Sequence, residues 1–407
     1  MTWRGAFALA WIVVGMLASE GCEGDDPVVP STDSGVRDAA ASDAASDAGT
    51  TDAGADASAL DAAIDAAAID AAAIDAGADA GPMCTHAASD YVPDIAMRDS
   101  TLWPACISDD GAFHAIDPSI STIARVAAFE SVATLLFDYT ADPPTTDFDM
   151  ARLAYVSADP ANGLASRVAR RRDFYYASTA PAATTCRMAG EPAMYPDLCA
   201  GPAKLEPVID AAFASGMTGA AAPRSEAARI EAALVWFLYL STYSEVTTCA
   251  DAPRDCDSAY AYYTGGEPAR MGIGLARYGR ALDPLAHDRA WDALLGVRCW
   301  RNLDNEPGIA TNLAMRDRVR EQYGKAVLDV VGAIVRDHVV RFAAATGAER
   351  DALWAFVATI GPWLDRVAVE RDAAAATALR TEVARTDPSA VDVPALLGAL
   401  DALFVCP

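Results

Sequence analysis

The chain has 407 residues and carries 31 Lys and Arg against 57 Asp and Glu, a net charge of −26. Nucleic-acid binding rests on basic surface that neutralises phosphates, so this balance argues against a nucleic-acid partner. The nine cysteines form no CxxC, CxxCH or Cys/His cluster, which removes the usual signatures of zinc, haem and thioredoxin chemistry.

Residues 1–22 hold Arg4 and then an apolar run from Ala6 to Ala18. The run is too short to span a bilayer and fits a secretory signal peptide. It ends in Ser19-Glu20-Gly21-Cys22, small residues before a cysteine as in the lipobox of bacterial lipoproteins. The expectation is a signal peptide that ends at Cys22, lipidation of that cysteine and anchoring in the cell envelope, at the outer membrane or cell surface. Without lipidation the chain is expected to be secreted.

Residues 23–83 are Asp, Ala, Ser and Gly with few other types, and their fourteen acids stand against one arginine, Arg37. They lack aromatics and cannot bury enough surface to offset the entropy of ordering, so a disordered, self-repelling tether is expected. Ile64, Ile69 and Ile74 recur every five residues. Five helical steps turn by roughly 500°, so these isoleucines make no apolar stripe.

Residues 84–407 are expected to fold into an all-α, disulfide-stapled multi-helix bundle, as one body or as two packed halves meeting near residue 201. A first helix is expected after Asp117-Pro118, with Ile120, Ile123, Val126, Ala127, Phe129 and Val132 on one broad face. A second follows Asp147, and a third covers LASRVARRRDFYY (164–176). The helix from about Pro223 to Val246 has an all-apolar centre, AALVWFLYL (232–240), which requires burial on every side. Asp283-Pro284 supplies an N-cap and a first-turn proline for the next long helix. The longest runs from about Asn312 to Ala345, with Tyr323, Val327, Val330, Ile334 and His338 at helical spacing. Gly361-Pro362 is expected to interrupt the following helix, and VDVPALLGALDALF to close the chain with a short one.

With Cys22 lipidated, eight cysteines remain: Cys84, Cys106, Cys186, Cys199, Cys249, Cys256, Cys299 and Cys406. An even count in an exported chain points to disulfides, although eight cysteines allow 105 connectivities. Pairing in sequence order is the simplest expectation: 84–106, 186–199, 249–256 and 299–406.

Catalytic motifs of the GxSxG, HExxH, Walker and GxGxxG types are missing from the sequence, and no catalytic residue is assigned. His287, between Asp283 and Trp291, is the one histidine placed like an oriented base. Asp288 and Asp292 lie one helical turn apart. That spacing suits a hard cation, but Arg289 and Arg298 nearby favour a solvated, salt-bridged face. Glu231 and Glu245 share a helix face about 21 Å apart, too far for one mononuclear site.

The order Arg224-Ser225-Glu226, Trp236, Glu245, Cys249, then DSAYAYYTGG (257–266), and much later Leu353-Trp354-Ala355-Phe356 with Gly361-Pro362, resembles the algal low-iron-inducible, iron-assimilating periplasmic proteins. Their helical repeats carry a W-D-E-A-x-A-x-Y-x-G motif, which Asp257, Ala259, Ala261, Tyr263 and Gly265 match. Cys256 stands in place of the tryptophan and Ser258 in place of the second acid. The resemblance implies extracellular iron capture rather than a reaction. Hard carboxylate and phenol donors suit ferric iron, giving a candidate shell of Glu245, Asp257, Tyr260 and Tyr263, with Glu267. The alternative reading makes Asp257 an N-cap and the tyrosines packing groups. In that case the chain is a non-catalytic helical interaction or structural lipoprotein without a metal site.

Overall fold

The helix that carries AALVWFLYL spans Pro223–Thr248, and eighteen of its 26 residues are buried, Ala232 to Leu240 without interruption. The protein is described by a computed structural model, over residues 86–93, 102–117, 121–157, 163–219, 221–268, 270–303 and 312–404. The expected signal peptide, Cys22, the expected tether, Cys84 and Cys406 lie outside the described residues.

Thirteen α-helices occur among the described residues, and no strand. In chain order they are α1 (Thr122–Leu136), α2 (Thr145–Ser157), α3 (Leu164–Val168), α4 (Glu191–Met194), α5 (Glu206–Met217), α6 (Pro223–Thr248), α7 (Arg254–Thr264), α8 (Leu275–Leu282), α9 (Pro284–Leu303), α10 (Leu313–Ala344), α11 (Gly347–Arg371), α12 (Ala373–Val383) and α13 (Val393–Leu403). The fold is all-α. Helix α6 is its axis and packs against α1, α5, α7, α8, α10 and α11. One continuous apolar core runs from Tyr91 to Leu403, and a small second cluster gathers round Cys186, Leu198 and Cys199.

Local signals set several boundaries. Asp283 accepts a hydrogen bond from the Ala286 N–H at 3.0 Å and caps α9. Asn312 does the same for α10 through the Met315 N–H. Gly265 ends α7 at φ 71°, a left-handed conformation that glycine adopts without a Cβ penalty.

Other expectations need correction. On α1, Ile123 and Ala127 face outward, and the buried face is formed by Arg125, Val126, Phe129, Val132 and Leu136. The expected helix over 164–176 stops at Val168, because the chain turns there to pair with the 198–201 segment. Asp173 N–H donates to the Leu198 carbonyl at 2.7 Å, and Gly201 N–H donates to that of Arg171 at 2.8 Å. A Cβ on Gly201 would lie 2.0 Å from the Val168 carbonyl oxygen, so only glycine allows the two strands of chain to meet. At residue 201 a π-helical turn, Gly201–Leu205, runs directly into α5. Pro362 does not interrupt α11, which continues through it. There Gly361 lets α12 approach so closely that a Cβ would lie 2.6 Å from Val383 Cγ1.

The cysteines pair as Cys106–Cys299, Cys186–Cys199 and Cys249–Cys256, with Cα separations of 5.4, 5.3 and 5.0 Å. The two short-range pairs follow sequence order. The expected 84–106 and 299–406 pairs are overturned, because Cys106 and Cys299 take each other. The 3₁₀ turn Ile107–Asp110 packs on α9 and brings Cys106 there. Closing a loop of 193 residues is worth about 5 kcal/mol on the loop-entropy account.

Two outcomes follow from this packing. Gly201→Ala pushes a methyl group into backbone and should lower unfolding stability by about 3 kcal/mol, the upper end of overpacking costs, in urea titrations. Peptide mapping without reduction should recover Cys106 linked to Cys299; Cys106 linked to Cys84 would contradict the geometry.

Candidate functional site

The five residues proposed from sequence as a metal shell sit at the C-terminal end of α6, on α7 and just beyond it, and each has a different partner. Asp257 is 2 % exposed, and its carboxylate accepts the backbone N–H groups of Ile116, at 2.9 Å, and Asp117, at 2.5 Å. Burial pushes this carboxyl up, and the two donors offset that only in part. The Tyr260 hydroxyl donates to the Glu267 backbone carbonyl at 2.5 Å, and its ring stacks on Phe113 with centroids 4.0 Å apart. Burial pushes its pKa up to about 12.

Tyr263 is fully buried, and its hydroxyl lies 3.0 Å from His287 Nδ1. His287 Nε2 lies 3.2 Å from the Arg270 carbonyl, an acceptor, so Nε2 carries the proton and Nδ1 accepts from Tyr263. Burial holds the His287 pKa below its ordinary value, consistent with a neutral ring. Glu245 meets Arg171 at 3.5 Å; burial raises its pKa against the pull of Arg171 and Arg167. The Glu267 side chain is exposed.

Of the five, Tyr260 and Glu267 are joined through a backbone carbonyl, and Glu245, Asp257 and Tyr263 bond to Arg171, to the Ile116 and Asp117 N–H groups and to His287. Among the described residues, the one group of three His, Cys, Asp or Glu ligand atoms close enough for an ion is Cys106, Asp109 and Cys299. Two of those are the disulfide pair. A surface groove of about 210 Å³ between Tyr175, Tyr243, Arg320, Lys325 and Arg371 contains none of the five.

The Asp288–Asp292 pair is salt-bridged, with Asp288 open to water and Asp292 buried, but with a partner other than the arginines of its own helix. Arg270, from the loop before α8, binds both acids, while Arg289 turns to Asp90 at 2.7 Å. Asp292 and Arg289 are each 2 % exposed. His86 bridges the two halves of this network, with Nε2 3.3 Å from Asp292 and Nδ1 3.8 Å from Asp90. Gln322 completes the anchorage by bonding both the N–H and the carbonyl of Tyr91. The network pins the segment from His86 to Pro93 onto α9 and α10.

A second buried constellation surrounds Glu231, in the middle of α6. Tyr139, just beyond α1, donates its hydroxyl to Glu231 Oε2. Tyr278, on α8, donates to Oε1 at 2.5 Å. His338, on α10, presents Nε2 at 3.5 Å from Oε2. The His338 Nδ1 lies 2.8 Å from the Ile334 carbonyl, and Phe356 of α11 stacks on the ring at 3.7 Å. Burial works to raise the Glu231 carboxyl, and the bonds from His338, Tyr139 and Tyr278 more than reverse it, so the group stays ionised. Sequence spacing places Glu231 and His338 on buried faces, but their partners lie 92 and 47 residues from Glu231. The one available signal was an acid at the edge of an all-apolar stretch, which needs a partner.

His86 gives a pH test of the anchoring network. Its pKa is pushed up to about 9, chiefly by its hydrogen bonds to Asp292 and Asp90 and against its own burial. A folded-state pKa above the ordinary 6.5 means that the stabilisation is full below pH 6.5 and lost as pH rises through about 9. Arg289 and Arg270 also face these acids. Denaturant titrations should therefore show wild type and His86→Gln converging in stability across that window. A gap independent of pH would mean that His86 does not carry the charge.

No protein-family model, curated protein or solved structure gives a significant match to this chain.

Proposed function

We propose that the chain is an exported, membrane-tethered helical protein that acts by binding rather than by turnover. In this reading Cys22 is lipidated, residues 23–83 hold the helical body away from the cell-envelope membrane, and the body presents its surface to a partner. The observation that carries the reading is the set of three cysteine pairs in the body, since disulfides persist in oxidising compartments and are rare in the cytosol. The non-catalytic part is supported by His287, whose two ring nitrogens are both engaged inside the core.

Iron capture through Glu245, Asp257, Tyr260, Tyr263 and Glu267 is the less favoured version, because their hydrogen bonds and ion pairs anchor loops and close helices. The packing version accounts for each of those contacts: Asp257 fastens the 116–117 loop, and Tyr260 closes the turn after α7.

Cells expressing the full chain and fed a lipid-chain probe should yield a labelled, signal-cleaved protein, and Cys22→Ser should remove the label. Full-length, unlabelled wild-type protein in the cytosol with free thiols at Cys249 and Cys256 would sink the reading.

A further inference from the structure

The surface groove between Tyr175, the end of α6, α10 and α11 has a volume of about 210 Å³. Pockets for drug-sized ligands hold roughly 300–1,000 Å³, so this one suits a smaller molecule. Part of its wall is apolar: Leu328 and Val367 line it and are 3 % and 4 % exposed. Gly324 lets the Tyr243 ring lie against α10, since an ideal Cβ there would be 3.2 Å from Tyr243 Cε2.

The polar part of the wall is made of donors. Tyr239 donates to the Tyr175 hydroxyl at 3.4 Å. Tyr175, whose ring stacks on Tyr243 with centroids 4.9 Å apart, donates in turn to Tyr243, a bond that helps it keep its proton. The Tyr243 hydroxyl is the acceptor in that bond and still has its own proton to give. Arg371 is fixed by Asp329 at 2.6 Å, the Leu403 carbonyl at 2.9 Å and the Lys325 carbonyl at 3.4 Å. Arg320 lies 3.9 Å from Asp317, at the limit of an ion pair. Lys325 meets Glu321 at 2.9 Å across one turn of α10, an exposed pair of the kind worth little, so its ammonium can turn to a ligand.

The charges around the groove leave a surplus of one. Arg320, Lys325 and Arg371 line it with Glu321 and Glu370. Adding the next neighbours, Arg316 and Arg366 against Asp317 and Asp329, does not change the balance. On a chain of net charge −26, a concave site with one positive charge to spare selects an anion.

We propose that this groove binds a small monocarboxylate with a compact apolar body. Arg320, Lys325 and the Tyr243 hydroxyl take the carboxylate, whose planar pair of oxygens matches guanidinium donors. The body of the ligand lies on Leu328 and Val367. Inorganic phosphate has no apolar part for those side chains to cover, and a neutral ring gives the cations nothing to bind. The site involves neither the tether nor the address of the protein.

The test is titration of the full chain with benzoate, followed by ligand-observed saturation-transfer NMR. A Kd of about 1 mM or tighter is expected, within reach of so small a ligand. Acetate, benzyl alcohol and inorganic phosphate should each bind at least about tenfold more weakly. Arg320→Glu/Lys325→Glu should weaken benzoate by at least about tenfold, and Tyr243→Phe by about tenfold, as for a hydrogen bond to a charged group. Arg336→Glu, about 24 Å further along α10, should bind benzoate as the wild type does. If circular dichroism shows that the charge-reversed variant has not folded, Tyr243→Phe, which removes one oxygen, decides the matter. No benzoate binding below about 10 mM would overturn the assignment, and so would benzyl alcohol or phosphate binding as well as benzoate. Benzoate affinity unchanged in the groove variants would place binding elsewhere on the surface and overturn it too.

Discussion

A helix that is apolar on every side has one stable environment, the inside of other helices, and α6 imposes that requirement on the rest of the chain. Burying Leu234, Val235, Phe237, Leu238 and Leu240, at roughly 1.5–3 kcal/mol for each large side chain, demands neighbours all around the axis. Helices α1, α5, α7, α8, α10 and α11 supply them. The polar residues of α6 are placed by the same constraint. Glu231, Thr242 and Glu245 enter the core with the helix, so each must find its partner there. Glu231 finds two tyrosines and a histidine, Thr242 the Ala259 carbonyl and Tyr323, and Glu245 an arginine. The polar architecture of the interior is a consequence of packing one apolar rod.

The same logic explains which parts of the fold can be read from sequence. Periodicity and caps are local, and they place α6, α9, α10 and α13 close to where they lie. The Cys249–Cys256 pair is readable because its members lie only seven positions apart. Cys106–Cys299 is not, since nothing near either cysteine distinguishes its partner from the others. Pro362 misleads because the rule it invokes is also local. A proline inside a helix costs about 3 kcal/mol, and the buried side chains of α11 on both sides, from Leu353 to Leu364, more than offset that.

The candidate site was less legible than the fold, for a related reason. Donor identity is visible in sequence, but whether a donor is free is decided by residues far away. Asp257 looks like a ligand or a cap until the N–H groups of Ile116 and Asp117, about 140 residues earlier, are seen to occupy it. Asp292 seems destined for the arginines on its own helix, yet Arg270 and His86 reach it from two other segments. At Glu231 the reverse happens. An acid with no visible partner in sequence turns out to be the meeting point of three elements besides its own helix.

The long reach of the Cys106–Cys299 pair also bears on the order in which the chain can be oxidised. During synthesis Cys256 follows Cys249 after seven residues and Cys199 follows Cys186 after thirteen, whereas Cys106 waits through 193 residues for its partner. Throughout that wait, four other thiols of the described body emerge within its reach. Early closure of the two short loops removes those competitors before Cys299 arrives, since a short loop is closed at the smaller entropic cost. The local pairs thus act as chaperones of the distant one: by consuming each other first, they leave Cys106 and Cys299 to meet when α9 is in place.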